Sequence, residues 1–209
     1  MKQLKLFTCT ICFIVMFKFS FAQVVTVTGG SNTTPSLSSS YNSPANAITA
    51  LNTITAISGP VVITMNPGNS EIAPAGGYAI NFSATTTESN NIVIDGSSSY
   101  DTIVSSPSLT SGSITDAVFK LIGCDFVTIK RFTIIENSSN TTTTLGTNNM
   151  TEWGIALLRG STSDGAQSNT IEDNNISLSR SYQNSFGIYS NVRHSATTPG
   201  TSSIIVNGT

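Results

Sequence analysis

The eleven acidic side chains are the groups in this sequence best suited to acid–base chemistry on a polysaccharide. Such chemistry needs two carboxyl groups on opposite sides of the bond that breaks, in environments that separate their pKa values. The only adjacent acids are Glu172 and Asp173. Most of the others fall in separate predicted turns and loops, namely Asp116, Asp125, Glu136, Glu152 and Asp164. The pattern favours a protein without catalytic activity, while a lyase or hydrolase with catalytic residues beyond Thr209 stays open.

The acidic pair has a simpler structural explanation. Lys130 and Arg131 follow Ile129 in the same way that Glu172 and Asp173 follow Ile171. If the two segments are stacked strands about 4.8 Å apart, Lys130 lies under Glu172 and Arg131 lies under Asp173. We expect a ladder of ion pairs, each contributing about 0 to 1 kcal/mol to stability. By the same alternation we expect Asp95 on the outer face, where Asp95→Asn would be nearly silent.

Four polar residues are the candidates for carbohydrate binding. Tyr182 lies in a predicted turn, where an exposed ring can stack on a sugar. Arg159, Asp164 and His194 fall in predicted loops, and His194 is the single histidine of the chain. We expect these side chains to contact a carbohydrate from loops on one flank.

Metal-ligating residues are sparse. Asp164-Gly165 and Asp173-Asn174-Asn175 offer oxygen ligands that suit calcium, but neither stretch fits a defined calcium loop. Cys124 is the one cysteine outside the leader segment described below, so a zinc site would lack thiolate partners. We expect Cys124 to be a small buried residue. No metal site is predicted, and calcium is the one cofactor that the sequence leaves open.

Composition limits the class of partner. The chain has 209 residues, a formal net charge of −2 and only 10% charged residues, which suits one domain with a sizeable core. Nine Lys and Arg against eleven Asp and Glu leave no basic surface for a phosphate backbone. We expect no nucleic-acid partner.

The first 22 residues have the pattern of a signal peptide. Lys2 and Lys5 precede an apolar run over residues 6–17, and Ser20 and Ala22 occupy the −3 and −1 positions of a cleavage site. Lys18 ends the apolar run before it is long enough to span a bilayer. We expect a protein that is secreted or displayed on the cell surface, with no membrane span after cleavage.

An internal repeat sets the architecture. Four apolar runs align on Ile94, Ile129, Ile171 and Val206, with spacings of 35, 42 and 35 residues. This period lies in the window of about 20 to 50 residues that is typical of solenoids. A second apolar run precedes each of the four, and a third run follows in the middle two units, at residues 132–134 and 176–178.

Three short strands per unit, with few hairpin signals, predict an all-β, right-handed parallel β-helix. Trp153 alternates in phase with Ile155, so we expect it inside, stacked on Phe186 of the next unit. Asn174 aligns with Phe132, so its amide would also face inward and need full hydrogen bonding. Insertions fall at one junction, at residues 83–90, 123–125, 159–168 and 191–202.

A short helix precedes the repeats. Ser43-Pro44 supplies an N-cap and a first-turn proline, and the apolar residues Ala47, Ile48, Leu51 and Ile54 recur at helical spacing. We expect this helix to cap the solenoid. The predicted organisation is a signal peptide at 1–22, an N-terminal segment with the capping helix at 23–60, and β-helix rungs at 61–209. No cap follows the last repeat, so we expect the front part of a longer protein.

The chain resembles the exported right-handed parallel β-helix proteins, of the pectin-lyase-like kind, from Bacteroidetes-type bacteria. The resemblance is carried by the helix leading into Val61-Val62-Ile63, by the turn at residues 68–71, and by residues 121–129 leading into 134–137. Family members often have Asp-Gly where this chain has Lys130-Arg131. The resemblance implies a β-helix fold, export by type IX secretion and a surface role, without an agreed activity.

Together these features predict a secreted or surface protein that binds a polysaccharide or another macromolecule through loops on one flank. A rigid stack would hold the loops at fixed spacing, so that weak contacts add along an extended ligand. A purely structural stalk is a further alternative.

Overall fold

A computed structural model describes residues 25–66, 70–107, 109, 116–144, 147–182 and 185–195. These residues form one α-helix, α1 (Pro44–Leu51), a 3₁₀ turn (Gly30–Asn32) and sixteen strands. In chain order the strands are β1 (Val25–Thr28), β2 (Thr33–Thr34), β3 (Ser40–Tyr41), β4 (Ala56–Ile57), β5 (Val61–Met65), β6 (Glu71–Ile72), β7 (Tyr78–Ile80), β8 (Ile92–Asp95), β9 (Asp101–Val104), β10 (Ala117–Ile122), β11 (Val127–Lys130), β12 (Phe132–Ile135), β13 (Trp153–Arg159), β14 (Thr170–Glu172), β15 (Asn175–Ser177) and β16 (Phe186–Ser195).

Three sheets contain nearly all of these strands. Sheet 1 has the order β16-β13-β10-β7, sheet 2 the order β14-β11-β8-β5-β1-β3, and sheet 3 the order β15-β12-β9-β6. The chain visits the sheets in turn, so one circuit is a rung: rung 1 is β7 to β9, rung 2 is β10 to β12, and rung 3 is β13 to β15. The fold is a parallel β-helix of about three turns, as the repeat predicts.

The predicted register of sheet 2 is confirmed. Ile129 of β11 pairs in parallel with Ile94 of β8 on one side and with Ile171 of β14 on the other. Ile63 of β5 continues the column below Ile94. Ile63, Ile94 and Ile129 are fully buried, so each contributes about 1.5 to 3 kcal/mol through burial of its apolar side chain.

Aromatic rings fill the interior between sheets 1 and 3. Phe119 lies between Tyr78 and Phe132, with ring-centroid distances of 5.2 and 5.1 Å. Both phenylalanine rings are fully buried. These contacts join rungs 1 and 2 across the core, because Tyr78 belongs to rung 1 and Phe119 to rung 2.

Sheet 3 has two strands that the sequence pattern did not reveal, β6 and β9. In β9 the inward position next to Phe132 is occupied by Asp101, which hides the apolar alternation. Asp101 is 2% exposed, and its Oδ2 has no hydrogen-bond partner within the described ranges. Burial, with a contribution from Glu71, raises the pKa of Asp101 to about 6.

The turn between sheets 2 and 3 is sharp in rungs 2 and 3. One residue with a left-handed backbone makes it, Arg131 with φ 59° and Asp173 with φ 52°. The Asn174 side chain hydrogen-bonds to the backbone of the turn one rung below. Phe132 N donates to its Oδ1 at 3.0 Å, and its Nδ2 donates to Ile129 O at 2.9 Å. Both the oxygen and the nitrogen of the Asn174 amide are therefore hydrogen bonded to the backbone of the turn.

The prediction that Trp153 points into the core is wrong. Gly154 takes the inward place, since a Cβ on it would lie 2.7 Å from Ile176 Cγ2. Trp153 instead packs in a separate cluster with Ala156 and stacks on Tyr189, with centroids 4.3 Å apart and planes 6° apart. Two successive residues, Gly154 and Ile155, therefore contact the core, which breaks the alternation on which the prediction relied.

An N-terminal cap closes the first end of the stack. Asn46 N donates to Ser43 Oγ at 3.2 Å, and Pro44 opens α1 as predicted. The helix ends at Leu51, so Ile54, expected on the helix, lies in the segment that follows and is nevertheless fully buried. Strand β1 pairs antiparallel with β5 and covers the edge of sheet 2.

Some predictions fall on residues outside the described ranges. These are the signal peptide at 1–22 and the place of Val206 in the isoleucine column. Within the described ranges, no helix is long and apolar enough to cross a bilayer.

The isoleucine column can be tested by comparing Ile129→Asn with Thr133→Asn. Ile129→Asn buries an amide between two isoleucines, so we expect the free energy of unfolding to fall by about 3 kcal/mol or more. Thr133 is partly exposed, and its neighbour in rung 3 is already an asparagine, Asn175, so Thr133→Asn should change stability by less than about 0.5 kcal/mol. Chemical denaturation measures both values, and equal losses would contradict the inward placement of Ile129.

Candidate ligand-binding trough

The junction between sheets 1 and 2 differs in length from rung to rung. Rung 2 crosses it with the short segment 123–126, whereas rung 1 uses residues 81–91 and rung 3 uses residues 160–169. The longer loops rise on both sides of the shorter one. We call the resulting depression the trough: its floor is residues 123–128, and its walls are residues 82–91 and 164–170.

The first half of the trough is a cavity of about 340 Å³. Its floor is Gly123, Cys124 and Asp125. Residues 82–86 of rung 1 form one wall, with the exposed hydroxyls of Ser83 and Thr85, and Asp164 of rung 3 forms the other. The lining is mainly polar.

The second half continues along the same rung and has a volume of about 280 Å³. Phe126 lies at its centre, between Asn91 of rung 1 and Ser168 of rung 3. Glu88, Thr128 and Thr170 complete the lining. Floor residues 125 and 126 are consecutive, so the two cavities adjoin along rung 2, and together they are the trough.

Hydrogen bonds tie the floor to both walls. Thr86 Oγ1 donates to Asp125 O at 2.7 Å, which anchors the rung 1 wall. Gln167 N donates to Asp125 Oδ1 at 2.7 Å, and Asn169 Nδ2 donates to Cys124 O at 2.8 Å, which anchor the rung 3 wall. The depression is therefore built into the fold rather than left between loose loops.

Two glycines make room for the Asp164 carboxylate. Gly123 has φ +62°, and a Cβ on it would lie 2.5 Å from Asp164 Oδ2. A Cβ on Gly160 would lie 2.6 Å from the same oxygen. Gly160 N donates to Asp164 O at 2.8 Å and closes the turn over residues 160–164. Of the predicted carbohydrate-binding residues whose side chains the structure describes, Asp164 is the one that lines the trough.

Tyr182 is not the exposed platform that the sequence suggested. It is 5% exposed, and its hydroxyl lies 3.4 Å from Glu152 Oε1. Ser185 Oγ donates to Thr151 O and Phe186 N donates to Glu152 O, each at 2.7 Å, so the chain around Tyr182 lies against the start of β13. Phe126 is the partly exposed aromatic residue of the trough, and sequence reasoning assigned it to a strand. The sequence feature that could have placed Phe126 in a turn is its alignment with Asn91 and Ser168, which are turn residues.

Arg159 also lies elsewhere, and the backbone of His194 belongs to sheet 1. Arg159 is the last residue of β13 and does not line the trough. The backbone of His194 lies in β16, a strand of ten residues, and not in a loop as expected. The register between β13 and β16 shifts after the Leu157–Ser190 pair, and Arg159 pairs with Ser195, so residues 191–194 lie at this irregularity within the strand.

The predicted ion-pair ladder is half right. Lys130 Nζ lies 3.9 Å from Glu172 Oε1, as the register requires. Arg131 does not pair with Asp173: its Nε donates to Asp95 Oδ1 at 2.8 Å, and its Nη2 contacts Asp95 Oδ2. The left-handed backbone of Arg131 turns the side chain toward the rung below.

This pairing also corrects the outer-face assignment of Asp95. Its carboxylate is covered by Arg131, and the residue is only 5% exposed. Burial acts to raise the pKa of Asp95, but the hydrogen bonds from Arg131 and from Ser97 N outweigh it and lower the pKa. Asp95→Asn is therefore not expected to be silent.

The expectation that the remaining acids stay apart is wrong. Asp116 and Glu152 precede β10 and β13, and Glu152 N donates to Asp116 O at 3.0 Å. Burial, followed by the charge of Asp116, raises the pKa of Glu152 to about 7. That direction suits a general acid, but Glu152 is 4% exposed and does not line the trough. We interpret this pair as part of the folded framework.

Cys124 behaves as the sequence predicts. It is 1% exposed, and its Sγ donates to Ile80 O at 3.0 Å. Burial raises the pKa of the thiol to about 12, which disfavours the thiolate form that acts as a nucleophile. In the part of the chain that the structure describes, no three His, Cys, Asp or Glu side chains lie close enough to hold a metal ion.

Comparison with family models, with curated proteins and with solved structures gave no match. Inference about function therefore starts from the trough.

The buried Glu152 predicts a pH dependence of stability. Its pKa is about 7 in the folded state and about 4.5 when unfolded, so the folded state binds the proton more tightly, and stability falls as pH rises from about 4.5 to 7. Glu152→Gln keeps an acceptor for the Tyr182 hydroxyl and removes the loss of stability with rising pH. We expect the variant to exceed the parent by about 2 to 3 kcal/mol at about pH 8, and by much less at about pH 4.

Thermal and chemical denaturation at both pH values measure the difference. Glu172→Gln, at an exposed acid, is the matched control and should show no comparable change with pH. A parent–variant difference for Glu152→Gln that is the same at both pH values would contradict the raised pKa.

Proposed function

We propose that this protein is exported and binds a polysaccharide chain in the trough without cleaving it. The observation that carries the proposal is the trough itself, a preformed depression with fixed walls between loops of unequal length. Depressions held by a rigid scaffold and lined by a few convergent polar groups are typical of ligand sites.

The lining matches the surface of a sugar. Hydroxyls of Ser83, Thr85 and Thr170, the amide of Asn91 and several carboxylates offer donors and acceptors for sugar hydroxyls. Phe126 adds an apolar surface on which the carbon–hydrogen face of a ring can pack. Both kinds of contact are needed, because sugar rings have polar edges and less polar faces.

The orientation of the trough indicates how such a ligand lies. Its floor follows rung 2, and that segment spans at most about 20 Å when extended. A polysaccharide would thus cross the stack and leave a segment of a few sugar units in contact. This geometry suits attachment to long chains, which offer many equivalent segments.

The placement of Glu152 supports binding without cleavage. Glu152, the acid whose pKa rises to about 7, is buried outside the trough. The trough acids Asp125 and Asp164 lie in its first half and Glu88 in its second. We expect no reducing ends or unsaturated products from neutral or acidic polysaccharides, with or without calcium.

A side chain that fills the trough tests the proposal. Thr85 is exposed in the wall, so Thr85→Trp should block the first half and weaken polysaccharide binding at least about tenfold. Thr141→Trp places the same ring at an exposed position that does not line the trough, and should bind as the parent does.

The parent and both variants would be screened against immobilised polysaccharides, and hits measured by calorimetry with an assay for released sugars. Equal binding by Thr85→Trp and Thr141→Trp, or cleavage of a bound chain by the parent, would overturn the proposal.

A further inference from the structure

Three carboxylates line the trough on three sides. Glu88 belongs to the rung 1 wall, Asp125 to the floor and Asp164 to the rung 3 wall. Among the described lining residues there is no lysine, arginine or histidine to balance them. A ligand that enters the trough therefore meets only negative formal charge.

The described ion pairs do not change this. Arg131, just after β11, is held by Asp95, and Lys130, the last residue of β11, lies beside Glu172; none of these residues lines the trough. Among the described residues no trough carboxylate forms an ion pair, and Asp125 Oδ1 accepts a hydrogen bond from Gln167 N.

Phe126 occupies an unusual position for an aromatic residue. Its φ is +50°, a left-handed backbone that bulky residues rarely adopt. Its backbone is held from both sides, because Phe126 N donates to Gln167 O and Phe126 O accepts from Ile92 N, each at 3.2 Å. Rungs 1 and 3 place Asn91 and Ser168 at the same level. Nothing in the backbone of this turn requires an aromatic ring.

From these observations we infer that the trough selects a polysaccharide of amino sugars. One sugar ring packs on Phe126, and the protonated amines of the bound chain face the three carboxylates. The inference rests on the proposed function and specifies its ligand. Charge complementarity favours an amine, tolerates a neutral sugar and rejects a uronic acid. Exposed ion pairs are individually weak, up to about fivefold in affinity each, so the preference comes from several together.

The test uses a matched set of soluble oligosaccharides of equal length: a glucosamine hexamer, the same hexamer fully N-acetylated, and a galacturonate hexamer. Calorimetry is done at a pH at which the amines are protonated. We expect the glucosamine hexamer to bind about tenfold or more tightly than its N-acetylated form. We expect the galacturonate hexamer to bind weakest, and added salt to reduce the preference.

Two variants separate charge from stacking. The triple variant Glu88→Gln, Asp125→Asn, Asp164→Asn keeps the size of each side chain and leaves Asp125 Oδ1 as an acceptor for Gln167 N; it should lose the preference for the amine while still binding the N-acetylated hexamer. Phe126→Asn installs the residue type that rung 1 has at this level, so the turn should form, and affinity for both hexamers should fall about tenfold. Phe126→Tyr should restore it.

Glu172→Gln, at an exposed acid outside the trough, is the control and should change neither affinity nor selectivity. An unchanged preference in the triple variant, or tightest binding of galacturonate, would overturn the charge argument. An unchanged affinity in Phe126→Asn would overturn the stacking argument. If no hexamer binds, or if Thr85→Trp blocks none of the binding that is seen, the proposed function itself is overturned.

Discussion

The parallel register between rungs is the constraint on which the rest of the structure depends. Each circuit must return the chain one strand spacing, about 4.8 Å, above its starting point, with Ile63, Ile94, Ile129 and Ile171 stacked in one column. A shift of one residue would turn these side chains outward, so the register is held by burial as well as by backbone hydrogen bonds. Extra residues in rungs 1 and 3 are then accommodated at the junction between sheets 1 and 2.

The trough is a direct consequence of that constraint. Rungs 1 and 3 place longer segments at the junction between sheets 1 and 2, and rung 2 places a short one between them. Because the strands below are fixed in register, the difference in loop length becomes a depression of defined shape. Asp125 bonds with both walls through its backbone and side chain, which makes the depression rigid. A site of this kind needs no special fold, only unequal insertions in a regular stack.

The sequence predicts this fold well wherever alternation of apolar residues is undisturbed, as in the column through Ile129. It fails where left-handed residues or glycines interrupt the alternation. Arg131 turns toward Asp95, and Gly154 displaces Trp153 from the core. Candidate site residues are harder to predict, because the path of a loop decides which side chains are exposed in a site. Tyr182 is buried by its own loop, and Phe126 lies in the trough on a turn whose sequence resembles the start of a strand. Asp164 was found because its exposure in a glycine-flanked loop is a local property.

The central claim is that a ligand binds in the trough, where rung 2 crosses the junction with a short segment. NMR titration of the parent protein with an oligosaccharide that it binds tests this claim most directly. We predict that the largest amide shifts occur at Thr85, Gly123, Phe126 and Ser168, which line the trough from all three rungs. Amides of sheet 3, such as Thr102 and Thr133, should barely shift. Largest shifts on sheet 3, with the trough amides unmoved, would contradict the account.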